Sequence, residues 1–348
     1  NAYGVPVYQL LGGRFREKVR LYADTHIEEG RATGILMEPE KVGRILKGYM
    51  DQGFTVVKIL SVELLMAQEG NTCGPLDWVD ELRAVEEKVR QVTRTGTRAE
   101  SSAANALLYD FNRIPHPFTN MHVTEQGLDQ LDEYIGRVRS VIGTKVPLAI
   151  DHFGHFPLPD MIKIARRLEK YHLAWLEDML PWYLTDQYRE LKHATTAPIA
   201  TGEDMYLAES FEPLLQAGAL DVVHPDLLTS GGILETKKLG DLAARYGASM
   251  ALHMCESPVS ALAGAHMATA SENFFAQEHD AFDSEWWQDL IIGPVKPIVK
   301  DGFTVITDAP GLGIEGLNED LIREHGPMKG KDVWVSTDEW NQETSLDR

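Results

Sequence analysis

The chain has 348 residues, 43% of them hydrophobic and 25% charged, an ordinary globular composition with room for one large α/β barrel or two smaller domains. No stretch reaches the roughly 20 apolar residues of a membrane span, so no membrane partner is expected. The formal charge of −20 argues against a nucleic-acid binder, and two cysteines outside any CxxC pair argue against a disulfide framework. No signal peptide is visible, and a reducing cytoplasm is the expected location.

Eight short apolar strands follow in chain order: 19–25, 55–60, 147–151, 172–178, 198–204, 220–226, 249–254 and 273–278. Helical patterns separate most of them. "LPDMIKIARRLEKY" and "KKLGDLAARYG" both carry apolar residues at helical spacing, and Gly247 is a natural stop for the second. Alternating strands and helices predict parallel βα units, and eight strands in about 260 residues predict a TIM-like barrel. The 86 residues between Leu60 and Pro147 exceed what one helix needs, which predicts an insertion at 61–146. Its segments 76–92 and 124–143 read as helices, and it either shapes the barrel mouth or forms an oligomer contact. After the eighth strand, "GPVKPIVKDGFTVITDAPGLGIE" reads as a β-hairpin and a Gly-rich turn. The polar tail from Lys329 to Arg348 is expected to be peripheral.

The last polar residues of the later strands fall in a rhythm. The intervals from Asp151 through Glu177, Glu203, Asp226, His253 and Glu278 are 26, 26, 23, 27 and 25 residues, each the length of one βα unit. All six then share the C-terminal rim of the barrel, where active sites lie. Asp151, Glu177 and Glu203 end consecutive strands about 4.8 Å apart and can converge on one ion. Three carboxylates without softer ligands suit a hard cation, and Mg2+ is the expected cofactor. Asp178 and Asp204 are read as caps or orienting groups for that site. Asp226 and His253 end adjacent strands, and a carboxylate beside an imidazole suits a general base. Glu278 could donate a hydrogen bond to a developing enolate if burial raises its pKa.

In this order and spacing, "VPVYQLLGG", "GFTVVK", Asp151/Glu177/Glu203, "PDLLTSGGI" around Asp226, His253, "NFFAQE" and "DAPGLGIE" make the chain resemble the enolase superfamily, mandelate racemase subgroup. The resemblance implies a (β/α)7β barrel with Mg2+ and abstraction of the proton α to a substrate carboxylate. It also implies an N-terminal α+β capping domain, of which residues 1–18 would be the end. The barrel would then occupy 19–290, and 291–348 would pack on the barrel or cap.

Two positions depart from the racemase pattern. Its second strand carries Lys-x-Lys, but this chain reads Lys58-Ile59-Leu60, and leucine cannot be a second base. Lys58 is left to contact a substrate carboxylate, pair with a rim acid or serve structure. Galactonate-type dehydratases carry an acid histidine two residues after the metal aspartate, where this chain has Phe153. Gly154 allows a turn that brings His155 back over the metal as the acid, with His152 the alternative. One base, a metal and a separate acid make a β-elimination. The expected activity is therefore dehydration of a sugar acid (an aldonate or aldarate) to a 2-keto-3-deoxy acid, with a homo-oligomer as the expected assembly. A cycloisomerase or one-base epimerase, and a catalytically silent binding protein on the same scaffold, are the competing readings.

Overall fold

The computed structural model describes residues 3–25, 37–60, 70–73, 84–85, 87–88, 91–92, 122–151, 156–293 and 295–325. Eight parallel strands close into a barrel: β1 (Lys18–Ala23), β2 (Val57–Leu60), β3 (Leu148–Asp151), β4 (Leu176–Glu177), β5 (Ile199–Thr201), β6 (Val222–Val223), β7 (Ser249–Leu252) and β8 (Phe274–His279). Each pairs with the next in sequence, and β8 closes on β1 through Leu21↔Gln277, Tyr22↔Glu278 and Ala23↔His279. The helices described in full between them are α1 (Pro39–Asp51), α2 (Glu125–Ile142), α3 (Leu158–Leu168), α4 (Thr185–Ala194), α5 (Leu207–Gln216), α6 (Ile233–Arg245) and α7 (Pro258–Thr269). The architecture is the expected (β/α)7β barrel.

The helices form where periodicity and capping agree. In α3, Met161, Ile164, Ala165 and Leu168 make one buried stripe. The Thr124 side chain caps α2 by accepting from Gly127 N–H at 3.0 Å, and Gly143 ends it at φ +71°. Helix α7 is buried on nearly every side, because residues outside the barrel cover it too. Tyr8, Val19 and Ile306 pack on Ala265 and Ala268, while Trp287, Ile291 and Val295 pack with Ala261 and Leu262. No helix among the described residues is long and apolar enough to cross a membrane.

Of the long connection after β2, the described parts include a two-residue ladder, Thr72–Cys73 against His122–Val123, helical residues at 84–85, 87–88 and 91–92, and α2. Most of the expected helix at 76–92, and the tail from 326 onward, lie outside the described residues. The predicted hairpin turns at 300–303, and its second strand, β9 (Phe303–Val305), pairs antiparallel with the lower half of β1. Leu21 N–H donates to Gly302 O at 2.9 Å on the edge where Ala23 N–H donates to Val56 O at 3.1 Å, so β9 continues the sheet beneath β2.

The barrel interior is layered. Tyr22, Val56, Ala149, Trp175, Ala200, Val222, Ala251 and Ala276, one residue from or beside each strand, form a separate apolar cluster. Four alanines make space for one tryptophan and one tyrosine, which meet edge to face with centroids 5.4 Å apart. Because side chains alternate along a strand, the next inward layer lies two residues on. Those positions are Asp24, Lys58, Asp151, Glu177, Gly202, His224, His253 and Glu278, so a plug of apolar side chains supports a polar layer at the rim.

Candidate active site

The polar layer divides into two halves joined by Lys58. On one side, Asp151, Glu177 and Asp178 place carboxylate oxygens within 4.8 Å of one another, and ligand atoms of Glu177, Glu203 and His224 do the same. Glu177 is common to both groups and is completely buried. Gly202 sits at φ +145° with the Phe211 ring where a Cβ would be, and this turn carries the chain from β5 to Glu203. Asp178, at φ +47°, accepts from Thr201 Oγ1 at 2.5 Å. Asp204 is exposed and stands outside the cluster.

Lys58 is 1% exposed and makes three short contacts: 2.8 Å to Asp151 Oδ2, 2.9 Å to Glu278 Oε1 and 3.3 Å to Glu177 Oε1. Asp24 Oδ2 lies 3.9 Å away. Burial works against the ammonium, but Asp151, Glu177 and Glu278 more than compensate and hold its pKa well above the ordinary lysine value. Of the three roles left open for Lys58, pairing with rim acids is the one seen. The same contact corrects the expectation for Glu278. Burial alone would raise its carboxyl, yet Lys58, His253 and His224 bring it down to about 2. Glu278 is therefore an acceptor here, and Met254 N–H also donates to its Oε2 at 3.1 Å.

On the other side, an isolated parallel bridge aligns Asp226 with His253, and Asp226 Oδ2 lies 2.8 Å from His253 Nδ1. Leu228 N–H and Thr229 N–H donate to the other Asp226 oxygen at 2.6 and 3.2 Å. Burial disfavours the Asp226 charge, but His253 and Glu256 keep its pKa near 2. Burial also opposes protonation of His253, and Asp226, Glu278 and Glu203 override it, so its pKa is raised. Its free nitrogen, Nε2, faces Glu203 Oε2 at 3.6 Å and Glu278 Oε2 at 3.8 Å. The imidazole thus points across the rim with its orientation set from behind.

Seven carboxylates (Asp24, Asp151, Glu177, Asp178, Glu203, Asp226 and Glu278) share this layer and its edge with Lys58, His224 and His253. The excess shows in the titration. Burial and like charges raise Asp24, Asp178 and Glu203 above ordinary carboxylates. The oxygens of Asp151, Glu177 and Asp178, amid surplus negative charge, fit a hard divalent cation, while the group that contains Glu203 adds a nitrogen of His224 to two carboxylates.

The structure brings Asp151, Glu177, Glu203, Asp226, His253, Glu278 and Lys58 to one rim. His155 and its alternative His152 lie outside the described residues. Sequence reasoning passed over Asp24, Tyr22, Trp175, His224, Glu256 and Asp280. Period-two counting back from Glu177 and Asp226 reaches Trp175 and His224, and Asp24 ends its strand on an acid as the others do. Glu256 and Asp280 sit in loops, where no period marks them.

Comparison with known proteins follows the same lines. The family model described as Enolase C-terminal domain-like matches residues 116–321. A D-xylonate dehydratase of Haloferax volcanii is 28% identical over 325 residues, covering 92% of this chain and 65% of that protein. A D-gluconate/D-galactonate dehydratase of Picrophilus torridus is 24% identical, covering 92% of this chain and 66% of that protein. The chain thus spans a little under two thirds of the length of these relatives. A crystal structure of a mandelate racemase/muconate lactonizing enzyme-like protein from Rubrobacter xylanophilus superposes with a TM-score of 0.73 at 29% identity, covering 93% of this chain and 72% of that one. The family match extends over more than half of the chain, and the barrel, its closure and its acidic rim agree with it: this chain belongs to the enolase superfamily, as an Enolase C-terminal domain-like barrel.

Proposed function

We propose that this chain is the barrel of a Mg2+-dependent sugar-acid dehydratase, a hydro-lyase acting on an aldonate or aldarate. The observation that carries the reading is His253: one imidazole, held at Nδ1 by Asp226 and aimed by Nε2 at the acidic rim. The names of the Haloferax and Picrophilus relatives support the substrate class.

Asp151, Glu177 and Glu203 would hold the ion. When bound, Mg2+ supplies positive charge against the substrate carboxylate and the charge that develops there. His253 Nε2, in its neutral form, takes the proton from the carbon α to that carboxylate. Asp226 fixes the ring and stabilises the imidazolium that results. Lys58 offers a buried ammonium to the same developing charge, with Glu278 holding it in place. His155, on sequence position alone, is assigned to protonate the hydroxyl leaving from C3. The resulting enol tautomerises to a 2-keto-3-deoxy acid. Leu60, where a racemase has its second lysine, leaves no base there for the opposite face.

The test is a panel of aldonates and aldarates, xylonate, gluconate and galactonate included, incubated with Mg2+ in D2O. Dehydration yields a 2-keto acid. A cycloisomerase or one-base epimerase yields α-deuterium without one, and a binding protein yields neither. His253→Asn is expected to lower both exchange and dehydration by about 10²–10⁴-fold, with Asp226→Asn milder because the base remains. His155→Asn should keep exchange, lose dehydration and recover turnover on a 3-fluoro analogue, whose leaving group needs little protonation. Full exchange in the His253 variant would move the base elsewhere.

A further inference from the structure

Glu177 is held by a chain of groups that crosses the barrel beneath the rim. Its Oε2 accepts from Trp175 Nε1–H at 2.6 Å, two residues back on the same strand. Its Oε1 lies 3.0 Å from His224 Nδ1, at the end of β6. The other ring nitrogen, His224 Nε2, lies 2.8 Å from the Tyr22 hydroxyl on β1. Tyr22, Trp175, Glu177 and His224 are all completely buried. One nitrogen of His224 thus lies in close charged contact with a carboxylate, and the other is hydrogen-bonded to a phenol.

A carboxylate can only accept, so a proton on Nδ1 is the one that faces Glu177. Nε2 shares a hydrogen bond with the Tyr22 hydroxyl, which fixes the ring in place. The arrangement is that of an outer hydrogen-bond partner orienting a ligand, here with histidine supporting carboxylate.

We propose that His224, held in place by Tyr22, is a positioning residue for Glu177: it fixes the orientation of this carboxylate and so sets the affinity of the rim for a divalent cation. The proposal rests on the reading of Glu177 as a metal ligand. Trp175 donates to the second oxygen and Lys58 Nζ to the first at 3.3 Å, so the carboxylate cannot rotate about its own axis without losing these two buried hydrogen bonds and the His224 contact.

The experiment measures Mn2+ binding by electron paramagnetic resonance on the full 348-residue chain, with folding followed by circular dichroism. His224→Leu is expected to weaken Mn2+ binding by about 10–100-fold, the usual cost of losing such a partner. His224→Asn places an amide N–H near the Nδ1 position and should recover most of that loss. Tyr22→Phe should weaken binding in the wild-type background and have no further effect in the His224→Leu background, because its influence passes through the ring. A folded His224→Leu protein with wild-type Mn2+ affinity overturns the proposal, as does equal loss from Tyr22→Phe in both backgrounds. If His224→Leu does not fold, Tyr22→Phe decides alone: unchanged affinity overturns the proposal and weaker affinity supports it. Glu177→Gln separates the two levels. Wild-type affinity in that variant would defeat the metal reading itself, whereas lost binding there with retained binding in His224→Leu would defeat only the positioning role.

Discussion

Two loop acids, Asp280 and Glu256, couple the stability of the barrel to pH. Burial and the neighbouring Glu278 push Asp280 up to about 6. Burial and its hydrogen bond to Asp226 push Glu256 up to about 7, while Ser260 Oγ donates to its Oε2 at 3.1 Å. For both, the folded state holds the proton more tightly than the unfolded chain, so between about pH 4.5 and 7 the native state binds more protons. Stability therefore falls as pH rises through that window. Asp226 and Glu278 act oppositely: their pKa values near 2 add stability above pH 4 that is lost in strong acid. Asp280→Asn and Glu256→Gln are expected to gain melting temperature relative to wild type at pH 7.5, with little gain at pH 4.5. Thermal denaturation across a pH series checks this, and a gain independent of pH would show that neither acid is titrating in the window.

At the scale of elements, a contact between two glycine-bearing turns locks β9 beneath β2. Gly53, after α1, lies at φ +96°, and a Cβ there would sit 2.5 Å from the Asp301 carbonyl. Gly302, at φ +72°, would meet the Gly53 carbonyl in return. Neither turn can accept a side chain without separating the strands that flank β1. Gly53→Ala should cost of order 1–3 kcal/mol from backbone strain alone, with steric displacement added. Gly48, inside α1 with nothing within 4 Å of its would-be Cβ, provides the contrast. Gly48→Ala should stabilise by roughly 0.4–1 kcal/mol through the unfolded state. Urea unfolding of the two variants tests the lock, which would be refuted by equal stability.

For the whole molecule, the proposed cation site on the acidic rim would make folding and cation binding linked equilibria. A ligand that binds only the native state adds about 2.7 kcal/mol at a concentration 100 times its Kd. Mg2+ should accordingly raise the melting temperature of chelator-treated protein, and Na+ at equal ionic strength should not. Glu203→Gln is expected to reverse the order of the two forms. Without metal it should melt at or above wild type, because burial and Asp151 disfavour the Glu203 charge by more than His253 and Lys58 offset it. With Mg2+ it should melt below wild type, having lost a ligand. Differential scanning calorimetry with and without Mg2+ measures both halves, and an equal Mg2+ gain in the two proteins would remove Glu203 from the ion site.

What the chain's own sequence determined was the ring and the rim. Strand periods of two, helix periods near 3.6 and a repeat of about 26 residues are local properties. They placed all eight strands and put Asp151, Glu177, Glu203, Asp226, His253 and Glu278 at equivalent ends. The Asp226–His253 pair was legible because adjacent tips in a parallel sheet must be neighbours. Contacts across the barrel were not. Which of eight inward side chains meet depends on the closure register between β8 and β1 and on how much space the alanines leave for Trp175 and Tyr22. Only that packing put Lys58 between Asp151 and Glu278, so that Glu278 became a low-pKa acceptor and not the expected donor. Only closure joined Tyr22 of the first strand to His224 and Glu177. The sequence orders side chains along a strand and assigns each a face. The distance across the ring is set by all eight strands packing at once.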